Sequence, residues 1–108
     1  MEFAEIIGRA KDIRERYDVL NRKQGYKDWN VSTLTEGFVG DVGKLMKLVM
    51  AKQGFRPMEN IDEQLKHELA DCLYSVIVIA DKLGIDLEGA FVNTMEEIKG
   101  RIAGEESK

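Results

Sequence analysis

The sequence predicts an all-α protein built as a four-helix bundle, and three features support this prediction. Of its 108 residues, 33% are charged, 44% are hydrophobic and one is proline, a balance typical of amphipathic helices. Apolar residues recur at three- and four-residue spacings along four stretches. Glycines follow the first three stretches, as expected where helices end. At this length we expect a single domain spanning residues 1–108.

The first two helices are predicted over residues 2–23 and about 33–52. Asn30 or Ser32 is the expected start of the second helix, because both side chains can cap a helix. A glycine follows each helix: Gly25 and Gly54. The apolar residues of the first helix share one face: Phe3, Ile6, Ile7, Ala10, Ile13, Tyr17 and Leu20.

The third helix is predicted from about residue 62 to 83, with Asn60 or Asp62 as its cap and Gly84 after it. Asp86 is the expected cap of a fourth helix, and residues 103–108 read as a polar tail.

The third helix is apolar on nearly every side over residues 72–80 and must therefore be covered from more than one direction. Three other helices of one small chain would cover it incompletely. We therefore expect a homodimer with this helix near the interface, and a well-packed monomer is the alternative.

Charge and hydropathy exclude several classes of function. The net charge of −4 gives no electrostatic footprint for a nucleic-acid polymer, so none is expected as a partner. The longest apolar run, residues 76–80, is far too short to span a membrane, and no signal-peptide pattern starts the chain, so we expect a cytoplasmic protein. Basic residues of the first helix alternate with acids and are expected to form a solvated face, with a phosphate-facing surface as the alternative: Arg9, Lys11, Arg14, Arg16, Arg22 and Lys23.

Two helices carry a carboxylate in the middle of their apolar stripe, Asp41 and Glu68. A carboxylate facing a low-dielectric interior is costly unless it is paired, hydrogen-bonded or bound to a cation. Asp71 lies three residues after Glu68, so the two project side by side and can share one hard cation, with Asp41 completing the shell from the facing helix. Mg²⁺ suits such oxygen ligands, and Mn²⁺ is a second possibility. Alternatively, Lys44 pairs with these acids as a buried structural network without metal. His67 points about 100° away from Glu68 and is expected at the surface or supporting a ligand.

Residues 67–73 read HELADCL and residues 80–88 read ADKLGIDLE. These two segments resemble the MazG-type all-α nucleotide pyrophosphohydrolases, a superfamily that also holds the dimeric dUTPases and the dCTP pyrophosphatases. Members carry a Glu-x-x-Asp motif on one long helix, followed by an apolar run and a Lys-Leu-Gly-Ile-Asp-Leu-like turn. Both are nearly complete here, and the resemblance covers most of the chain.

The family's other motif, Glu-Glu-x-x-Glu, has changed in this sequence. The matching residues 40–44 read GDVGK, so that Asp41 keeps the second carboxylate while Gly40 and Lys44 replace the other two. In an active enzyme, Lys44 would contact a phosphate or swing away from the acids. In an inactive relative, it would occupy the place of the cation.

The resemblance implies hydrolysis of a nucleoside triphosphate to the monophosphate and pyrophosphate, in a house-cleaning role on non-standard nucleotides. Asp41, Glu68 and Asp71 would hold Mg²⁺ and serve catalysis, in a homodimer or a dimer of dimers. A catalytically weak or inactive helical dimer that binds a nucleotide or a protein is the alternative, and a plain structural bundle is a third interpretation. Trp29 either stacks on the base or packs at the entrance of the second helix, and four residues are candidates for contacts with the phosphates: Lys44, Asn93, Lys99 and Arg101.

Overall fold

The computed structural model describes residues 1–108 and confirms an all-α fold without strands. Its four helices are α1 (Phe3–Lys23), α2 (Val31–Lys52), α3 (Ile61–Lys82) and α4 (Leu87–Glu106). None of these helices has the length and apolarity needed to cross a membrane. The last helix continues through Gly104, past the point where we expected a tail to begin. Glycine inside a helix costs only about 1 kcal/mol relative to alanine, which good helix-forming neighbours offset.

The first three helices end in the same hydrogen-bonded turn. Gly25, Gly54 and Gly84 adopt positive φ angles of 81°, 88° and 69°, a conformation that glycine reaches without a side-chain clash. In each turn the next residue's N–H donates to a carbonyl five residues earlier, as in Ile85 to Ala80 at 2.9 Å. These turns fix where each helix stops.

Side-chain caps start α2 and α4. The Asn30 side chain accepts a hydrogen bond from the Thr33 N–H at 2.9 Å, and Asp86 accepts one from the Gly89 N–H at 3.1 Å. Asn60 precedes α3 with a φ of 52° and makes no side-chain cap. The choice between candidate caps is therefore settled for α2 in favour of Asn30.

The core lies between α2 and α3, which pack as an antiparallel hairpin, while α1 packs on α3. Lys52 at the end of α2 meets Asp62 at the start of α3, with 2.6 Å between Nζ and Oδ1. Apolar side chains from three helices fill this core: Ala10, Leu34, Leu48, Ala51, Ile77, Val78 and Ala80.

Much apolar surface remains uncovered in the single chain. Helix α4 has no buried residue, and five of its large apolar side chains are exposed: Phe91, Val92, Met95, Ile98 and Ile102. The accessible surface is 8282 Å², whereas a compact monomer of this mass would expose about 6100 Å². The radius of gyration is 17.6 Å, compared with about 13 Å for a compact chain of about 100 residues. The fold of one chain therefore leaves α4 and the adjoining face of α3 without a covering layer.

Candidate active site

Glu68 lies at the centre of the α2–α3 hairpin and is one of the most deeply buried side chains of the protein, with 2% of its surface exposed. Its Oε1 atom is buried without a hydrogen-bond partner. Leaving such an oxygen unpaired costs about 1–3 kcal/mol, and more when the group is charged. The position of Glu68 on the apolar stripe of α3 predicted this burial correctly, and the free oxygen marks a place for a further partner.

Lys44 of α2 supplies the one ion pair of Glu68, with 3.5 Å between Nζ and Oε2. The Lys44 side chain is 56% exposed, so its ammonium reaches the carboxylate from the solvent side of the hairpin. Lysine has a flexible stem, and this pair can open without disturbing the helix backbone.

Asp41 and Asp71 lie near Glu68 but are only half-buried. Asp71 contacts His67, with 3.1 Å between Oδ2 and Nε2, and His67 itself is exposed. Burial raises the pKa of the neighbouring Cys72 thiol, and the negative charges of Asp41, Glu68 and Asp71 raise it further. All three predicted ligands are therefore close enough to the Cys72 thiol of α3 to act on it electrostatically.

These acids do not converge into a finished metal site. No three His, Cys, Asp or Glu side chains of the protein are arranged so that they could hold a metal ion. The donor set nevertheless suits a hard cation, because it consists of carboxylates and includes the unpartnered Oε1 of Glu68. In this structure Lys44 engages the other oxygen of Glu68, Oε2, and His67 engages Oδ2 of Asp71.

The other predicted substrate contacts are placed differently. Trp29 lies in the α1–α2 loop with its ring against Gly37 of α2, where an added Cβ would stand 3.4 Å from ring atom Cζ3. The remaining three predicted contacts lie on α4: Asn93, Lys99 and Arg101. Their side chains are exposed and make no hydrogen bond or ion pair, so nothing within one chain links them to Glu68.

Arg14 is the centre of a buried cluster. The sequence prediction that places this arginine on the solvated face of the first helix is wrong. Arg14 is only 8% exposed and pairs with Asp18, with 3.0 Å between Nη2 and Oδ1. Tyr74 of α3 lies beside it, and burial raises the pKa of Tyr74 while Arg14 acts in the opposite direction. A sequence signal was present, since Arg14 falls between Ala10 and Tyr17 on the apolar stripe of α1.

The fold and the site together define an all-α protein with an acidic site between two antiparallel helices. Residues 30–103 match the MazG nucleotide pyrophosphohydrolase domain, and the chain belongs to this family. No curated protein and no solved structure matches the chain.

Proposed function

We propose that this protein hydrolyses a nucleoside triphosphate to the monophosphate and pyrophosphate, with Mg²⁺ or Mn²⁺ held by Asp41, Glu68 and Asp71. The buried, unpartnered Oε1 of Glu68 is the observation that carries this proposal, because a carboxylate oxygen in that position is stabilised by a cation. Membership of a family named for this activity supports the same conclusion.

Each residue of the site has a distinct role in the proposed reaction. Bound Mg²⁺ would activate a water molecule and neutralise charge on the polyphosphate. Glu68 is held by the packed core and would fix one ligand oxygen, while Asp41 and Asp71 have the freedom to close around the cation. Lys44, released from Glu68, would bind a phosphate oxygen through its ammonium group.

The nucleoside would lie toward Trp29. The Trp29 ring faces Gly37, where an added Cβ would stand 3.4 Å from it, and Gly37 precedes Asp41 by four residues, a rise of about 6 Å along α2. That separation suits a nucleotide whose phosphates are at the acids and whose base stacks on the indole. Three exposed side chains of α4 would contact the phosphates if α4 of a second chain approaches the site: Asn93, Lys99 and Arg101.

A homodimer, alone or as a dimer of dimers, is part of this proposal. The single chain exposes roughly 2000 Å² more surface than a compact monomer, and burying this excess on both chains of a dimer would remove about 4000 Å² in total, which is within the range of obligate dimer interfaces. Leu73 and Val76 of α3 and Phe91 and Val92 of α4 line one apolar groove with Phe3, and a second copy would cover it. The cytoplasm, where nucleoside triphosphates are found, is the proposed location, and non-standard nucleotides are the proposed substrates.

The test is calorimetric titration of Mg²⁺ and Mn²⁺ into the wild type and Glu68→Gln, together with pyrophosphate release from a panel of nucleoside triphosphates. We expect binding and turnover in the wild type and loss of both in Glu68→Gln. Glu63→Gln is the matched control, because Glu63 is an exposed acid on the same helix. Absence of pyrophosphate release from every nucleotide with either metal would refute the enzymatic proposal.

A catalytically inactive relative that binds a nucleotide or a protein is the second candidate function. It is favoured by the Lys44 ammonium beside Glu68 and by the lack of three converging ligands. The double substitution Gly40→Glu with Lys44→Glu restores the family's first motif, and open space surrounds a Cβ at Gly40. An inactive wild type that gains Mg²⁺ binding through this double substitution would show that Gly40 and Lys44 close the metal site, and nucleotide or protein binding by that inactive wild type would establish the second candidate. A plain structural bundle would instead show no ligand effect, and Asp41→Asn and Glu68→Gln would leave its stability unchanged or raised.

A further inference from the structure

Arg14 occupies a position that the proposed chemistry does not use. It is one of two charged residues buried in the protein, Glu68 being the other, and it lies in α1, outside residues 30–103 that match the family. Its Nε donates a hydrogen bond to Oδ1 of Asp18 at 3.1 Å, and Nη2 lies 3.0 Å from the same oxygen in an ion pair. The charge-assisted hydrogen bond and the ion pair together orient the guanidinium group.

This guanidinium group contacts the ring of Trp29. The Arg14 Cζ atom lies 5.5 Å from the Trp29 ring centroid and 5.6 Å from that of Tyr17, both within range of a cation–π interaction. The indole edge also faces Gly37 of α2, where an added Cβ would lie in ordinary van der Waals contact, 3.4 Å from Cζ3. The Trp29 side chain therefore lies between the Arg14 guanidinium group and the backbone of α2, which together restrict its orientation.

The fixed indole borders a cavity of about 570 Å³ at the α1–α2 loop. Polar side chains from both ends of the loop line it, including Asn21, Lys27 and Thr33. The loop is anchored by a bidentate pair, in which Arg22 donates to the two carboxylate oxygens of Asp28 at 2.8 and 3.1 Å. Tyr26 is a second aromatic residue in the lining, and an open pocket of this size with aromatic and hydrogen-bonding groups suits a small heterocyclic ligand.

We propose that Arg14 is a positioning residue for the nucleobase, which holds Trp29 as a stacking platform at this cavity and thereby strengthens binding of the base without touching the nucleotide. The proposal rests on the proposed function in one respect, that the base stacks on Trp29. Arginine suits this role because its planar guanidinium group can bond to Asp18 and present its face to the indole, whereas the ammonium group of lysine has no planar face.

Trp29 is the only tryptophan of the chain, so the experiment follows its fluorescence directly. Nucleoside monophosphates are titrated into the wild type, Arg14→Lys, Asp18→Asn and the matched control Arg16→Lys, whose arginine is exposed and pairs with Asp12. We expect the nucleotide to quench Trp29 in the wild type. In Arg14→Lys the free protein's emission should shift and binding should weaken about threefold to tenfold, with unchanged helicity by circular dichroism.

Asp18→Asn should act in the same direction to a smaller extent, and it tests the proposal if Arg14→Lys fails to fold. In the pyrophosphate assay Arg14→Lys should raise KM without lowering kcat, and Mg²⁺ affinity should stay at the wild-type value. A merely structural arginine would lower thermal stability and leave nucleotide affinity unchanged.

The outcomes separate this inference from the proposed function. Quenching that weakens in Arg14→Lys without any pyrophosphate release supports the inference and refutes the enzyme. Turnover whose KM is unaffected by Arg14→Lys, Asp18→Asn and Trp29→Leu overturns the inference and leaves the enzyme. A wild type that binds no nucleoside monophosphate overturns the inference as well.

Discussion

Replacing Lys44 with methionine tests whether the ammonium group stabilises Glu68 and competes with a metal ion. Methionine keeps most of the apolar stem of lysine and removes its charge. Glu68 would then be buried with both carboxylate oxygens unpaired, since Oε1 already lacks a partner and Lys44 is the ion partner of Oε2. We therefore expect Lys44→Met to destabilise the protein in the absence of a divalent cation.

The magnitude follows from the distance and the exposure of the Lys44–Glu68 pair. At 3.5 Å and an effective dielectric constant of about 20, the attraction would be about 5 kcal/mol. More than half of Lys44 is in water, and exposed pairs are worth about 1 kcal/mol at most. Since Glu68 is fully buried and Lys44 is not, we expect an intermediate loss of about 1–2 kcal/mol in the free energy of unfolding.

The assay is urea unfolding at one protein concentration, with and without Mg²⁺. A ligand at a hundred times its Kd stabilises the folded state by about 2.7 kcal/mol, so bound Mg²⁺ would more than restore the variant. Lys44→Met should also gain more from Mg²⁺ than the wild type, because no ammonium has to be displaced. Lys47→Met, one turn further along α2 on an exposed residue, is the control and should behave as the wild type. Equal stability of Lys44→Met and the wild type, with equal responses to Mg²⁺, would refute this account of the site.

Three further substitutions test other parts of the structure. Iodoacetamide should modify Cys72 more slowly than a free cysteine at pH 8, because the raised pKa of this thiol leaves less of the reactive thiolate. Asp41→Asn removes one of the charges that raise the pKa and should accelerate the reaction; an unchanged rate would contradict this. The hydrogen bond from Lys52 lowers the pKa of Asp62 below 3.8, so Asp62→Asn should reduce stability at neutral pH, and this difference should vanish as acid protonates the wild-type carboxyl; a penalty that persists at pH 2 would show that charge is not its cause. Phe91→Glu should convert a dimer into a monomer in sedimentation velocity, and a monomeric wild type would rule out the proposed interface.

Most of the fold could be predicted because the relevant signals are local. Helix formation depends on the spacing of apolar residues within one or two turns. Helix ends depend on single residues such as Gly84, whose positive φ angle other residue types adopt less readily. The burial of Glu68 was likewise visible from its place on an apolar stripe. The burial of Arg14 was not, because the charge pattern of α1 outweighed its position on the stripe.

Interhelical geometry explains why the site itself was less predictable. Spacing along α2 and α3 places Asp41, Glu68 and Asp71 on facing surfaces, but ligand distances also depend on rotamers and on competing partners. Lys44 and His67 are such partners, and each engages one of the acids. An arrangement of three acids on the correct faces is therefore compatible with both an open metal site and a closed ion pair. Lys44 stands where the family's motif has an acid, and its ammonium group decides which of these two states the site adopts. The change in stability of Lys44→Met on adding Mg²⁺ therefore tests function as well as stability.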